Sequence, residues 1–482
     1  MKNILLVEPK SPDFNIFSLF KIPRLGLAIL GTLADKAGYN VRIIYEEKVA
    51  LKNDHIKWAD VVGISLTTST APQGYKIARM VKALDGKDGK RRPVVMGGVH
   101  ATFEPDEAIR EADYVFRGEA DDTFVPFLNA LGAGKSLETI PGLVWKENEG
   151  IRMNDMKTEY TDMTTVPTPD WSLFEGYSIT DIGPVMTSRG CPFDCSFCSV
   201  TEMLGKKHRR RTVEQVIDEL KGIKAKQVFF YDDHFAANKA RTRELLTRIR
   251  EEQGKGAIVT RGFSAQVRSD IAKDPEVLDL MKAVGFNTLF IGFESVNPET
   301  LKLFNKGQTI DDIETAVKAI RARRIRIHGM FVFGSDADDA STFDNTLRFA
   351  QRNHIETAQF LILTPLPGTR QYREFDLQGR VLTQNWAQYD TFNTVFLPKN
   401  MSPYELQKAA LRAMRKFYSP LHYLKWIFFR EPIVIFFRIY GLVTLSLWKW
   451  NNRKVLKNLK KESRDIFVPE AMHACRTAVG VH

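Results

Sequence analysis

Short apolar runs alternate with amphipathic stretches over the first ~165 residues of the chain. This alternation is typical of parallel strands connected by helices that cover the sheet. A helix is predicted at 26–39, and strands at 3–9, 40–47, 59–68, 92–102 and 112–120. The runs end in Gly, Ser, Thr or another small polar residue, where an open parallel sheet binds its ligand. No G-x-G-x-x-G follows the first run, so we expect a Rossmann-like sheet that holds a large ligand other than a dinucleotide.

A second series of strand-like runs begins after a polar, proline-marked connector at 161–171. Helical stretches separate these runs, and their spacing predicts an α/β domain built as a full or partial (β/α) barrel. The six predicted strands are 184–188, 227–233, 261–268, 288–295, 325–334 and 358–369. We therefore expect a sheet domain at 1–165, a barrel at 166–400 and a helical region at 401–482.

The last region changes character after a predicted helix start, with Ser402 as cap and Pro403 in the first turn. Residues 421–450 are rich in Phe, Ile, Leu and Trp, but Arg430, Glu431 and Arg438 interrupt them. A membrane-spanning helix needs about 20 apolar residues with few or no charges. We therefore expect this segment to form a helix pair that faces a membrane surface or the substrate. Packing of the pair on the barrel is the second alternative, and a helix that crosses the membrane is the least favoured.

Composition excludes some classes of function. The chain has 482 residues, 44% apolar and 26% charged, which is the balance of a folded protein of two or three domains. Its net charge of +11 comes from basic clusters at 205–211, 321–328 and 451–461, without the interleaved aromatics that stack on bases. Nucleic-acid binding is disfavoured relative to an anionic small molecule or membrane surface. Four cysteines and no secretory leader pattern indicate a reducing, cytoplasmic setting.

Three of the four cysteines lie together as Cys191-x3-Cys195-x2-Cys198, in the loop after the first predicted barrel strand. Such thiolates can bind a zinc ion that His208 or Cys475 would complete. They can also hold a four-iron cluster with one iron left open for a reactant. The position on the loop face of the barrel, where active sites lie, favours the cluster.

The segment "CPFDCSFC" resembles the signature of the radical S-adenosylmethionine (SAM) enzymes, and the resemblance extends over most of the chain. It implies a [4Fe-4S] cluster on the three cysteines, with SAM at the fourth iron and cleaved to a 5'-deoxyadenosyl radical. The family pattern also suggests SAM contacts at strand ends, although capping or ion-pairing is equally expected for the carboxylates. These candidates are Asp232, Asp233, Glu294, Gly329 and Gly334; the neighbouring His234 is expected to be structural.

Several segments of the first domain resemble the cobalamin-binding domain that precedes many radical SAM barrels. The D-x-H-x-x-G motif, whose histidine ligates cobalt in other cobalamin proteins, is absent. The resemblance therefore implies cobalamin held without a histidine ligand, and leaves open a vestigial domain with no cofactor. The implied contact residues are Leu25, Gly26, Ser65, Thr67, Thr68, Gly97, Gly98, Gly118 and Glu119.

The resemblance implies methyl transfer to an unactivated carbon, with flavodoxin or ferredoxin as the electron donor. Cyclisation, oxidation or carbon–carbon coupling, as in the anaerobic magnesium-protoporphyrin ester cyclase, is the alternative within the enzyme class. An RNA-modifying iron-sulfur protein is the alternative from another class, disfavoured because the C-terminal region is apolar. That apolar region favours a lipid, isoprenoid or tetrapyrrole substrate and peripheral contact with the inner face of the cell membrane.

Overall fold

The computed structural model describes residues 1–11, 22–85, 89, 91–147, 150–176, 182–419 and 432–466. Its first sheet has seven strands in the order β2-β1-β3-β4-β5-β6-β7, of which the first five in the chain are parallel. The strands are β1 Asn3–Glu8, β2 Asn40–Tyr45, β3 Val61–Ser65, β4 Val94–Gly97, β5 Tyr114–Phe116, β6 Leu143–Glu147 and β7 Gly150–Met153. The chain order reverses between β1 and β3, and such a reversal opens a crevice at the carboxyl ends of the strands.

Both faces of the first sheet are covered. Leu5 and Val7 of β1 lie in one apolar core and Ile4 and Leu6 in the other, which explains the unbroken apolar run in the sequence. The helices of this half are α1 Leu25–Lys36, α2 Asn53–Trp58, α3 Ala71–Leu84, α4 Val99–Phe103, α5 Pro105–Glu111 and α6 Phe124–Gly132.

The second sheet has six parallel strands in the order β15-β14-β13-β12-β11-β8. Its end strands β8 and β15 do not pair with each other in the described structure, so the barrel is partial. The strands are β8 Ile182–Val185, β11 Gln227–Phe230, β12 Gly262–Val267, β13 Phe286–Glu294, β14 Arg326–Phe333 and β15 Thr357–Ile362; β9 Ser188–Arg189 and β10 Arg209–Arg210 form a separate antiparallel pair. The predicted α/β fold is confirmed, as a partial barrel rather than a full one.

Helices cover the outer face of the second sheet and bury one large apolar core. They are α8 Val213–Gly222, α9 Lys239–Gly254, α10 Pro275–Val284, α11 Pro298–Leu303, α12 Ile310–Ala322, α13 Ala340–Arg352 and α14 Arg370–Leu377, whereas the short α7 Val200–Leu204 follows the cysteines and contributes no residue to this core. Alternate strand residues such as Phe230, Ile291, Ile327 and Phe331 belong to that core, so the residues between them face the inside of the barrel.

Three further helices follow: α15 Pro403–Phe417, α16 Pro432–Asn451 and α17 Arg453–Ile466. The predicted cap is confirmed, because the Ser402 hydroxyl accepts a hydrogen bond from Glu405 N at 3.2 Å. Tyr418 and Arg438 then bond to backbone groups of β15 and the residues before it, which covers the free edge of that strand. The predicted interfacial residues Trp426, Phe428 and Phe429, and also Cys475, lie outside the described residues.

Some boundaries predicted from the sequence are wrong. The predicted strand 92–102 stops at Gly97, because Gly98 turns the chain with a φ of 94° and α4 follows. The predicted strand 358–369 stops at Ile362, before two prolines. The hairpin of β6 and β7 was not predicted, since β7 is exposed along its whole length and carries no alternation.

The two halves share packing, so the domain boundaries stay a prediction. Phe174 lies beyond the predicted boundary at 165 yet bridges Ile43 of β2 and packs in a core of the first sheet. Tyr372 and Trp386, from the part of the chain after β15, pack in the other core of that sheet.

Candidate functional site

The loop that carries the cysteines follows β8 and is closed at its base by the β9–β10 pair. Gly190 permits this close crossing, because its φ is 83° and a Cβ there would lie 2.5 Å from Lys207 O. The loop is tied to segments beyond two other strands: Ser196 N donates to Phe304 O at 3.1 Å, and Gln371 N donates to Ser196 O at 3.1 Å. The local structure therefore holds the three thiols in place from both sides.

Cys191, Cys195 and Cys198 are free thiols, partly exposed at the mouth of the barrel. Burial raises the pKa of the Cys191 thiol and raises that of Cys198 to about 12. The Arg268 guanidinium at the end of β12 lies 3.9 Å from Cys195 Sγ and 3.6 Å from the centre of the Phe193 ring. The guanidinium therefore places a positive charge beside a thiol that could bind iron.

The thiol arrangement fits a cluster better than a single ion. Among the described residues, no group of three or more His, Cys, Asp or Glu side chains converges on one point where it could hold an ion. Ligands of an iron-sulfur cluster do not need to converge, because each thiolate binds a different iron. A zinc site completed by His208 therefore receives no support from the geometry. Three thiols on an anchored loop, one beside an arginine, fit a [4Fe-4S] cluster.

The three residues singled out after β11, Asp232, Asp233 and His234, lie in three different environments. Asp232 is fully buried and accepts hydrogen bonds from Thr187 N at 3.0 Å and from the Ser188 hydroxyl at 2.5 Å, so it anchors the start of the cysteine loop. Asp233 lines the cavity described below, and burial with the charge of Asp232 raises its pKa to about 6. His234 is buried with its Nε2 3.8 Å from Asp270 Oδ1, and burial lowers its pKa to about 3.

Glu294 ends β13 in the left-handed region, with a φ of 62°. Its buried carboxylate is 2.6 Å from the Nζ of Lys306, which is also buried. A Cβ on Gly292 would lie 2.4 Å from the same carboxylate, so the glycine leaves room for it. Strained, over-determined conformations of this kind cluster at functional sites. Lys306 was not predicted, and nothing in its "NKGQ" context distinguishes it from a surface lysine.

Replacing Lys306 with Met should destabilise the protein by about 3–5 kcal/mol, because it leaves the Glu294 carboxylate buried without a cation. The free energy of unfolding measured with denaturant checks this. The double variant Lys306→Met, Glu294→Gln should recover most of the loss, since neither partner then carries a charge. Equal stability of the Lys306→Met variant and the unmodified protein would contradict the described ion pair.

The two glycines predicted to contact SAM, Gly329 in β14 and Gly334 directly after it, have different surroundings. A Cβ on Gly329 would lie 3.2 Å from the Phe293 ring, on the helix-facing side of the sheet, so this glycine makes room for core packing. Gly334 has a φ of 107° and begins a loop in which the Asp338 carboxylate accepts from Gly334 N at 2.9 Å and Ser335 N at 3.1 Å. The SAM contacts of both glycines stay predictions.

One cavity of about 430 Å³ lies between the carboxyl ends of the first sheet and the cysteine loop. Eight of the nine residues predicted from the first domain line it: Leu25, Gly26, Ser65, Thr67, Gly97, Gly98, Gly118 and Glu119. The ninth, Thr68, is buried in the turn after β3 and is not part of the wall. The opposite wall includes Ser199 and Val200, directly after Cys198, together with Tyr231 and Asp233. A single cavity thus joins the sheet edge to the cysteine loop.

No described residue in the wall of this cavity is a histidine. His100 is fully buried with Nε2 3.0 Å from the Tyr75 hydroxyl, and His55 Nε2 lies 3.2 Å from Glu175. Both imidazoles therefore have protein partners away from the cavity. The wall is mostly apolar, and at Gly97 and Gly98 it has no side chains. Such a wall fits one face of a large flat ring.

An ion-pair network connects the two halves beside the cavity. Arg189, next to the cysteines, donates to both oxygens of Asp121 at 2.8 and 2.9 Å and to Glu119 at 2.9 Å. Arg209 donates to both oxygens of Glu119 at 2.9 and 3.0 Å. Although burial opposes it, Arg189 holds the pKa of Asp121 below its usual range. Because the charge of Glu119 is paired twice, its role at the cavity is to hold the wall together.

Three aromatic rings lie together inside the barrel, a feature that was not predicted. Phe290 lies 5.5 Å from Phe229 and 4.8 Å from His328, measured between ring centres. His328 Nδ1 lies 2.8 Å from the Thr357 hydroxyl, and its Nε2 has no partner among the described residues. Burial lowers the pKa of His328 to about 4, so the ring is neutral at pH 7. The strand alternation at these positions was the signal that could have revealed this aromatic group, which shares the inner face of the sheet with polar residues such as Gln266 and Arg326.

Comparison with known proteins decides the family. The model of the radical SAM superfamily matches residues 185–350, and that of the B12 binding domain matches residues 18–128. The chain is 33% identical to an uncharacterized methyltransferase of Pyrococcus horikoshii, over 92% of this chain and 98% of that protein. This chain belongs to the cobalamin-binding radical SAM enzymes. Its cofactors are a [4Fe-4S] cluster, SAM and cobalamin, as the resemblance implied.

Two further similarities bear on this radical SAM enzyme. It is 29% identical to the bacteriochlorophyllide d C-12(1)-methyltransferase of Chlorobaculum tepidum, over 87% of this chain and 88% of the relative. The solved structure of the cobalamin-dependent SAM radical enzyme OxsB, with aqua-cobalamin and SAM bound, matches with a TM-score of 0.70 at 14% identity. That match covers 97% of this chain and 82% of OxsB, and it confirms the fold.

Proposed function

We propose that this enzyme transfers a methyl group to an unactivated carbon of an apolar, polycyclic substrate. The single cavity between the first sheet and the cysteine loop carries the proposal, because it brings the predicted cobalamin wall against the residues that follow Cys198. When bound, the cluster would pass one electron to a SAM and so supply a 5'-deoxyadenosyl radical that takes a hydrogen atom from the substrate, and cobalamin would supply a methyl group taken from a second SAM, which leaves as S-adenosylhomocysteine. Both activities are then available to one substrate carbon without its release between steps.

The chain's own residues have three tasks in this proposal. Cys191, Cys195 and Cys198 hold the cluster, and the Arg268 guanidinium lies beside Cys195 as a compensating charge. The loop that Asp338 organises after β14, with Gly334 at its start, shapes the side of the barrel mouth where SAM is expected. The barrel floor of Phe229, Phe290 and neutral His328 receives the substrate and keeps water from the radical.

The proposed substrate class is a tetrapyrrole or a lipid-like polycycle. A floor of aromatic rings favours a large apolar body over a charged peptide. The similarity to a bacteriochlorophyllide methyltransferase supports a tetrapyrrole in particular.

We also propose a cytoplasmic enzyme that takes electrons from an acidic carrier such as flavodoxin or ferredoxin. Lys206, Lys207 and Arg210 are exposed beside the partly exposed cysteine loop. A basic rim of this kind steers a negatively charged partner toward the cluster.

Anaerobic reconstitution with the three cofactors tests the proposed reaction. Mass spectrometry of the SAM products, formed in the presence of a tetrapyrrole acceptor, should show S-adenosylhomocysteine and 5'-deoxyadenosine rising together. Formation of 5'-deoxyadenosine alone would contradict methyl transfer and favour cyclisation, oxidation or coupling.

A further inference from the structure

Helix α16 has one face packed on the protein and one apolar face directed outward. Six apolar side chains that recur every three or four residues are 43–65% exposed. They form the outward stripe: Ile433, Phe436, Ile439, Val443, Leu447 and Trp450. Scattered exposed apolar residues need no explanation, but a continuous row along five turns of helix marks an interaction surface.

The charge that interrupts this apolar segment in the sequence is directed inward. Arg438 is buried and donates hydrogen bonds to three backbone carbonyls, those of Glu356 at 3.0 Å, Phe417 at 2.9 Å and Ile355 at 3.1 Å. No other charged residue lies between Pro432 and Trp448, so the outward stripe is free of charge over that length. Burial of Arg438 thus removes the feature that seemed to oppose contact with lipid.

The same inward face argues against a helix that crosses the membrane. Among the described helices, α16 is long and apolar enough to span a bilayer by length and composition, and a third of it is buried inside the protein. A helix fixed to a folded barrel through a buried arginine cannot be surrounded by lipid. Contact with a bilayer surface through the outward stripe alone is compatible with this packing.

A basic helix follows the stripe directly. Arg453, Lys454, Lys457, Lys460 and Lys461 of α17 are exposed, and over 453–463, where side chains are described, the one exposed carboxylate is that of Glu462. The Arg453 guanidinium lies 5.6 Å from the Trp450 ring, which joins the end of the stripe to the start of the basic helix. An apolar stripe continued by a basic helix complements a bilayer of apolar tails and anionic headgroups.

We propose that the outward stripe of α16, together with the basic residues of α17, docks the enzyme on a membrane surface that contains anionic lipids. α16 packs on β15, the end strand of the partial barrel, and covers its free edge, so docking holds that end of the barrel close to the bilayer. An apolar substrate dissolved in the bilayer would then have a short path to the aromatic floor. The inference rests on the proposed function only for this last step.

Vesicle co-sedimentation of the full-length protein tests the docking. Binding is expected to vesicles of phosphatidylcholine with phosphatidylglycerol, and to weaken as salt is added. The Val443→Glu variant should bind about tenfold more weakly or worse, because it places a charge in the stripe. The Lys457→Glu, Lys461→Glu variant should lose at least about fivefold at low salt. Leu377→Glu, which alters an 88% exposed leucine on α14, is the matched control and should bind normally.

Cleavage of SAM by each variant shows whether it is folded and separates this proposal from the proposed function. Normal cleavage with lost vesicle binding supports docking. Equal vesicle binding by Val443→Glu and the unmodified protein would overturn it, and so would binding that ignores both lipid charge and salt. A dimer in solution that Val443→Glu converts to a monomer would also overturn it, because the stripe would then be covered by a second copy.

Discussion

Alanine in place of Cys195 is expected to abolish SAM cleavage, with 5'-deoxyadenosine formation lowered about thousandfold or more. Three thiolates fix three irons, so loss of one leaves a cluster that is incomplete or absent. Iron content and 5'-deoxyadenosine formation measured after anaerobic reconstitution check both parts of this expectation. Cys191→Ala and Cys198→Ala should behave in the same way.

The fourth cysteine supplies the control for that experiment. Cys475→Ala removes a thiol distant in sequence from the cysteine loop and should retain its iron and nearly all of its activity. Sustained SAM cleavage by Cys195→Ala would show that the cluster has other ligands and would refute the assignment.

Tryptophan in place of Gly26 should weaken cobalamin binding by about a hundredfold while leaving the fold intact. Gly26 lines the cavity near the start of α1, and a Cβ there meets no atom within 4 Å. The larger side chain therefore has room to enter the cavity and fill space that the ring requires. Bound cobalamin, measured from its absorption after gel filtration, checks this expectation.

Gly254→Trp is the matched control for the cavity. Gly254 ends α9, is exposed, and also has no atom within 4 Å of a built Cβ. Cobalamin retention should stay normal in this variant, and iron content should stay normal in both. If the Gly26→Trp variant retains cobalamin fully, the cofactor does not occupy the described cavity.

The two sheets and the cysteine loop could be predicted from the sequence because their signals are local. Unbroken apolar runs such as 3–9 follow from strands buried on both faces, and the cysteine spacing is contained within eight residues. The residues of the first domain that line the cavity could be predicted for a similar reason. Small residues at strand ends, such as Ser65 and Gly97, lie at the same edge of a parallel sheet whatever the order of its strands.

Contacts between distant segments could not be predicted. Nothing in the sequence around Arg189 indicates that Asp121 is its partner. In the sequence, Arg438 interrupts an apolar stretch. The period of α16 places it on the same side as Val434 and Leu445, so helical spacing contained part of the answer. Two of the three backbone carbonyls that receive its hydrogen bonds, those of Glu356 and Ile355, lie 82 and 83 residues earlier in the chain and could not be foreseen.

The central claim is that the cluster and cobalamin face one shared cavity. Electron paramagnetic resonance of the protein that contains cobalt(II) cobalamin tests it most directly, because spin–spin coupling falls steeply with distance. Reduction of the cluster to its paramagnetic state should broaden or split the cobalt signal, and this change should be absent in the Cys195→Ala variant. A cobalt signal that stays the same when the cluster is reduced would place the two cofactors far apart and contradict the shared cavity.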